Sequence, residues 1–150
     1  KDFMEDLADM AGCKVRHVAA NSHCFSADVN AAFDPIYGEV HERRNASYIN
    51  YGVVVTKYTG ARGKAGTNDA TAEMMSFARR ILDAEKVGWQ TGELGKVDQG
   101  GGGTVAMYVS QHNIDTVDLG VPVLSMHAPF EVVAKTDVYM TYRAMRAFYR

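Results

Sequence analysis

YGVVVTKYTGARGKAGTNDATAEMMSFARRILDAEKVGWQTGE, residues 51–93, reads as strand, turn, helix and strand in succession. Gly52 to Tyr58 is rich in β-branched valine, the composition of a half-buried or buried strand. Residues 59–68 contain Gly60, Gly63 and Gly66 and predict a mobile turn. Met74, Phe77, Ala78, Ile81 and Leu82 then recur at helical spacing, while Glu73, Ser76, Arg79, Arg80 and Asp83 occupy the opposite side. Thr67 or Asn68 is placed to cap the first free N–H groups of that helix. Trp89 to Glu93 predicts a short strand.

The same alternation extends in both directions. Phe3, Leu7 and Met10 predict a helix over Asp2 to Met10, stopped by Gly12. His23 to Val29 alternates as a strand with Asp28 at its carboxyl end, and residues 34–50, with Asp34-Pro35, Gly38 and the charged cluster HERRN, predict a loop. Downstream, the glycine run of QGGGGT (99–104) opens a helical stretch, VAMYVSQH. Asp115–Leu119 and Val121–Met126 predict strands around Gly120 and Pro122. A last helix from about Glu131 to Tyr149 carries Val133, Met140, Ala144 and Phe148 on one face. Strands alternating with helices predict an α/β layer sandwich, helices packed on a largely buried sheet. No repeat or linker divides residues 1–150, so one domain is expected.

Composition narrows the function classes. With 150 residues, 47% hydrophobic and 23% charged, the chain is neither disordered nor fibrous. A net charge of -2 without a basic stripe argues against nucleic acid as a partner. No apolar run approaches a membrane span, and no signal-peptide pattern opens the chain. Cys13 and Cys24 are the only cysteines, which fits free thiols in a reducing compartment and a cytoplasmic location. A start at Lys1 that runs straight into a helical pattern suggests a piece of something longer.

Three segments can carry chemistry. Asp28 follows a strand, where open α/β sheets gather ligands, and can bind a metal, act as a base, or simply cap the next turn. His127 is delivered by the apolar strand of GVPVLSMHAPFE, either as a metal ligand or as a buried histidine bonded to backbone. Gly100, Gly101, Gly102 and Gly103 let a ligand approach the backbone, or form a plain turn. The run lacks the lysine of a phosphate loop and the spacing of a dinucleotide fingerprint. Cys13, His17, His23 and Cys24 have zinc-ligand types at a poor spacing, since adjacent His23 and Cys24 on a strand face opposite ways. His41 with Glu42 reads as a solvated loop, and His112 as a cation at a helix end. Neither a nucleophile elbow nor H-E-x-x-H is present.

At SADVN (26–30), TGELGKVDQGGGGT (91–104) and GVPVLSMHAPFE (120–131), in that order, the chain resembles the C-terminal part of the aminopeptidase I and aspartyl aminopeptidase family of zinc metallopeptidases. The resemblance implies a three-layer, zinc-dependent exopeptidase-like sandwich with a mixed β-sheet between helices. It also implies two zinc ions per active site in the intact enzyme, peptide substrates and a homo-oligomer. Asp28 would bind one metal and His127 the other, while Gly100 to Gly103 would line the pocket for the peptide's first residues. The bridging aspartate, the general-base glutamate and the remaining ligands would lie upstream, so no catalytic residue is expected here and the segment alone should be inactive. Ala31 and Asp34 stand where other members carry histidines, and the glycine run favours the broader aminopeptidase I branch over strict acidic specificity. The rival expectation is a peptidase-like domain kept for assembly or peptide binding.

Overall fold

A computed structural model of the chain describes residues 1–62, 65–96 and 98–150. Helix α1 (Asp2–Met10) occupies the predicted span, and Gly12 beyond it adopts φ +69°. A second helix, α2 (Val15–Ala20), was not foreshadowed by periodicity, because six residues are too few to show a repeating face. The strand β1 (His23–Ala27) is separated by Asp28 and Val29 from β2 (Asn30–Ala31). The predicted loop contains a 3-10 segment, Pro35–Val40, whose first turn is fixed by Asp34 Oδ1 accepting from the Ile36 N–H at 2.9 Å.

β3 (Val53–Thr56) is buried along its whole length. The turn after it, of which Gly63 and Lys64 lie outside the described residues, holds a short strand, β4 (Gly60–Ala61). Helix α3 (Ala72–Ala84) starts later than its expected caps, because Asn68 and Thr67 are already engaged. Asn68 Nδ2 donates to the Thr116 carbonyl, and the Thr67 hydroxyl donates to the Asn68 carbonyl. Thr71 caps instead, its hydroxyl accepting from the Met74 N–H at 3.1 Å.

β5 (Trp89–Thr91) follows, then β6 (Gly101–Gly102), α4 (Ala106–Ser110), β7 (Asp115–Gly120) and β8 (Pro122–Leu124). The last helix begins at Lys135 rather than Glu131, because Val132–Val133 form strand β9, antiparallel to β8. Helix α5 then spans Lys135–Phe148.

The main sheet runs β1-β7-β3-β5. β1 is parallel to β7 and β5 to β3, while β3 and β7 are antiparallel, so the sheet is mixed. Side chains alternate faces along a strand. One face of the sheet sends Phe25, Val53, Val55, Val117 and Leu119 into a core completed by Met74, Ala78 and Leu82 of α3 and Ala144 of α5. The other face carries Ser26, Thr56 and Asp118 and is reached by Thr104, just ahead of α4. Helices on both faces of a mixed sheet form the expected three-layer arrangement.

Asp137, in the first turn of α5, has no exposed surface and ties that helix to the entry of β3. Its carboxylate accepts from the Asn50 N–H at 2.6 Å and the Gly52 N–H at 2.8 Å. Gly52 is needed there, since at φ +93° a Cβ would lie 2.0 Å from the Gly88 carbonyl oxygen. Asp137→Ala would leave two N–H groups unpaired, each costing about 1–3 kcal/mol. We expect chemical denaturation to show a loss of roughly 2–6 kcal/mol by that bookkeeping. A loss below about 1 kcal/mol would show that water replaces the carboxylate.

Candidate metal centre

The pairing of two strand tracks positions Asp28. β1 pairs with β7 as far as Ala27↔Leu119, and pairing resumes with Asn30↔Pro122 between β2 and β8. Asp28 therefore sits in the break, against Gly120. The approach is so close that a Cβ on Gly120 would lie 1.2 Å from the Asp28 carbonyl oxygen. Beyond the break Asn30 is clamped, its Nδ2 donating to the Thr56 hydroxyl at 2.9 Å and its Oδ1 accepting from the Ser47 hydroxyl at 2.8 Å. The Asp28 side chain itself is exposed, with Oδ1 accepting from the Val29 N–H at 2.8 Å. Asp28 lines an open groove of about 290 Å³ with Val29, Gly120, Val121 and Thr141.

His127 follows β8 in the loop that returns to β9. Ser125 and His127 adopt φ +57° and +67°, a region that costs a non-glycine residue about 1–2 kcal/mol. Such strain concentrates at functional positions. Two hydrogen bonds hold the turn: the Ala128 N–H donates to the Ser125 carbonyl at 3.0 Å, and the His127 N–H to Glu131 Oε1 at 2.5 Å. Among the described residues nothing is bonded to the His127 ring, which is exposed and not the buried, backbone-satisfied histidine of the alternative reading.

Tracks β1–β2 and β7–β8 run side by side and parallel, with Asp28 opposite Gly120; His127 lies three residues beyond the end of β8 and is not among the residues that line the Asp28 groove. One carboxylate oxygen donor and one imidazole nitrogen donor suit zinc. They are two donors only. Among the described residues no group of three or more His, Cys, Asp or Glu side chains converges to hold an ion.

The glycine run differs in detail from its expectation. Gly101 and Gly102 form a small antiparallel ladder with Gly60 and Ala61, and α4 begins only at Ala106, so the run is not a helix start. Gly100 is also engaged: its N–H donates to the Lys96 carbonyl at 2.7 Å, and its carbonyl accepts from the Arg62 N–H at 3.0 Å. Glycine is required at 101, where φ is +115° and a Cβ would lie 1.9 Å from the Gly60 carbonyl oxygen. Gly100 and Gly101 line a hollow of about 40 Å³ together with Tyr58, Glu93, Lys96 and Asp98.

Other sequence candidates have ordinary partners. Cys13 Sγ donates to the Ala8 carbonyl, and His23 stacks on Phe77 with ring centroids 4.4 Å apart. Burial, then the charge of Asp118, pushes the Cys24 thiol above its ordinary pKa, which disfavours the thiolate a metal requires. His41 packs against Phe33 and its Nε2 accepts from the Asp34 N–H.

Sequence reading missed Asp118. It lies at the centre of β7, in register with Ser26 and Thr56, and is 4% exposed. Thr104 donates to its Oδ2 at 2.8 Å; Oδ1 and the buried Ser26 hydroxyl each lack a partner in full hydrogen-bond geometry. Burial raises the Asp118 pKa and the charge of Asp28 raises it further, while the Ser26 and Thr104 hydroxyls pull it back. The folded state consequently binds this proton more tightly than the unfolded chain. Stability contributed by Asp118 is present below its ordinary carboxylate value and is lost as pH rises toward the higher native value. We expect Asp118→Asn to remove that decline in denaturation curves taken from about pH 3 upward. Parallel pH profiles for the two proteins would refute the assignment.

With this geometry in place, comparison with known proteins is specific. A family model described as aminopeptidase I zinc metalloprotease (M18) matches residues 4–149. The chain is 49% identical over 147 residues to a probable M18 family aminopeptidase 1 of Clostridium acetobutylicum, covering 98% of this chain and 32% of that protein. It is 48% identical over 149 residues to the Thermotoga maritima relative, covering 96% and 33%. The crystal structure of aminopeptidase I from Clostridium acetobutylicum superposes with a TM-score of 0.90 at 48% identity, over 99% of this chain and 33% of that one. The M18 aminopeptidase structure from Thermotoga maritima gives 0.89 at 43% identity, over 97% and 34%. The chain spans about a third of the length of these relatives. Its fold, its motifs and these matches place it in one family: the chain belongs to the aminopeptidase I zinc metalloproteases, M18.

Proposed function

We propose that the whole protein is a di-zinc aminopeptidase that removes N-terminal residues from peptides, and that this chain is the C-terminal portion of its catalytic domain. Asp28 would hold one ion and His127 the other. The reading is supported by an exposed carboxylate at a break between strands and an exposed imidazole free of hydrogen bonds, in a chain of a zinc metalloprotease family. When bound, zinc supplies Lewis acidity that activates water and polarises a carbonyl.

Around it, Asp28 contributes negative charge that offsets the cation. His127 contributes a neutral donor, presented by a turn that Glu131 holds through the backbone. Gly100 to Gly103 would receive the backbone of the peptide's first residues, where missing side chains let a ligand come close. A general base and further ligands would come from outside these residues.

A homo-oligomer is part of the same reading. Phe3, Met10, Phe130, Tyr139 and Tyr142 are exposed apolar or aromatic side chains of the kind that subunit contacts cover. Among the described residues no helix is long and apolar enough to cross a membrane. Two free cysteines support a cytoplasmic location, and neither nucleic acid nor a membrane is proposed as a partner.

The decisive experiment measures zinc content and peptide hydrolysis on the whole protein, comparing free and N-acetylated peptides. Two ions per subunit with cleavage of the free peptides alone is expected. A folded protein that binds peptide without cleaving it would establish the assembly or peptide-binding alternative. Titration of the 150-residue chain with zinc should show no tight binding of two ions, since two donors are too few to hold them.

A further inference from the structure

The proposed metal ligands and peptide-binding run leave one buried carboxylate without a task. A carboxylate at the centre of a sheet loses its hydration and needs compensation. Asp118, 4% exposed, accepts one hydrogen bond, from the Thr104 hydroxyl at 2.8 Å, while its second oxygen lacks a partner in full hydrogen-bond geometry. As packing alone this is poor use of a central position, where valine or threonine would serve.

Thr104 gives the carboxylate a purpose. It directly follows Gly103, and its hydroxyl also accepts from the Ala106 N–H at 3.3 Å, so it is the joint between the glycine run and α4. The run's ladder lies between β4 and β6, a two-stranded sheet separate from the main one. Two strands alone are marginally stable. The Thr104–Asp118 bond ties the end of the run to β7, an inner strand of the main sheet. Two residues further along that strand, Gly120 accommodates the backbone of Asp28.

We propose that Asp118 is a positioning residue: through Thr104 it fixes the glycine run relative to the Asp28 track, so that β7 sets the spacing between peptide-binding backbone and metal ligand. This deepens the proposed aminopeptidase reading and rests on it for its effect on substrate.

The test uses the whole protein with Thr104→Val, which keeps the shape and deletes the hydroxyl, beside Thr104→Ser, which keeps the hydroxyl. Loss of a bond to a charged acceptor should raise KM for peptides about tenfold in Thr104→Val, with zinc content unchanged and Thr104→Ser within about twofold of wild type. Asp118→Asn, which retains an acceptor oxygen, should fall between them. Amide exchange at Gly101 to Gly103 should accelerate about tenfold in Thr104→Val and not in Thr104→Ser. Lower stability in Thr104→Val with KM and exchange unchanged would overturn the proposal, as would equal losses in both threonine variants. If the wild type cleaves no peptide, the aminopeptidase reading fails, and the exchange result alone decides whether the tether holds the run.

Discussion

Asp28→Ala and His127→Ala in the whole protein should each abolish peptide hydrolysis while leaving the subunit folded. Removing groups that merely support metal ligands costs about 10–100-fold, so loss of a ligand should exceed a hundredfold in kcat/KM. Zinc content should fall with activity. The fold should survive because both side chains are exposed and tie down little: Asp28 accepts one N–H from its neighbour, and His127 is held through its backbone rather than its ring. Circular dichroism and zinc analysis on the same samples separate site loss from unfolding. Either variant retaining wild-type turnover and zinc would remove that residue from the site.

Gly120→Ala tests the same site without touching a ligand. The added Cβ would meet the Asp28 carbonyl oxygen at 1.2 Å, its carbonyl carbon at 2.4 Å and the Val29 nitrogen at 3.3 Å. All of these are backbone atoms, which cannot rotate away as a side-chain tip can. One track must move by about 2 Å to restore van der Waals contact. The chain around Asp28 has room to yield toward solvent, whereas Gly120 is buried between β1 and β3. Overpacking of this kind costs about 1–3 kcal/mol. The effect on function should be larger, because a misplacement of about 1 Å in a reacting site can cost 10²-fold. We expect a folded protein with reduced zinc occupancy and at least a hundredfold lower activity by the same reasoning. An alanine variant with normal zinc and activity within twofold would show that Asp28 does not depend on this crossing.

These two expectations differ in how far the sequence foretold them. Asp28 and His127 could be named because each ends or follows an apolar strand, and because three motifs in order resemble a known family. Gly120 could not. In sequence it is a small residue two positions before Pro122, and a glycine there usually signals a turn. Its φ is not positive, so conformational freedom is not the reason for it. Only the crossing of a neighbouring track shows that the missing side chain is what matters.

The chain's own pattern determined α3, β3 and β5, since periodicity and β-branched content are local properties that survive in any environment. It also determined which segments could carry donors. Tertiary structure alone decided that β7 lies between β1 and β3, with a carboxylate in its middle and a glycine at its end, and that Asp137 reaches back to Asn50 and Gly52. Those facts depend on contacts between residues tens of positions apart. Burial and hydrogen-bond satisfaction belong to such pairs, and neither member carries them in its own neighbourhood of sequence.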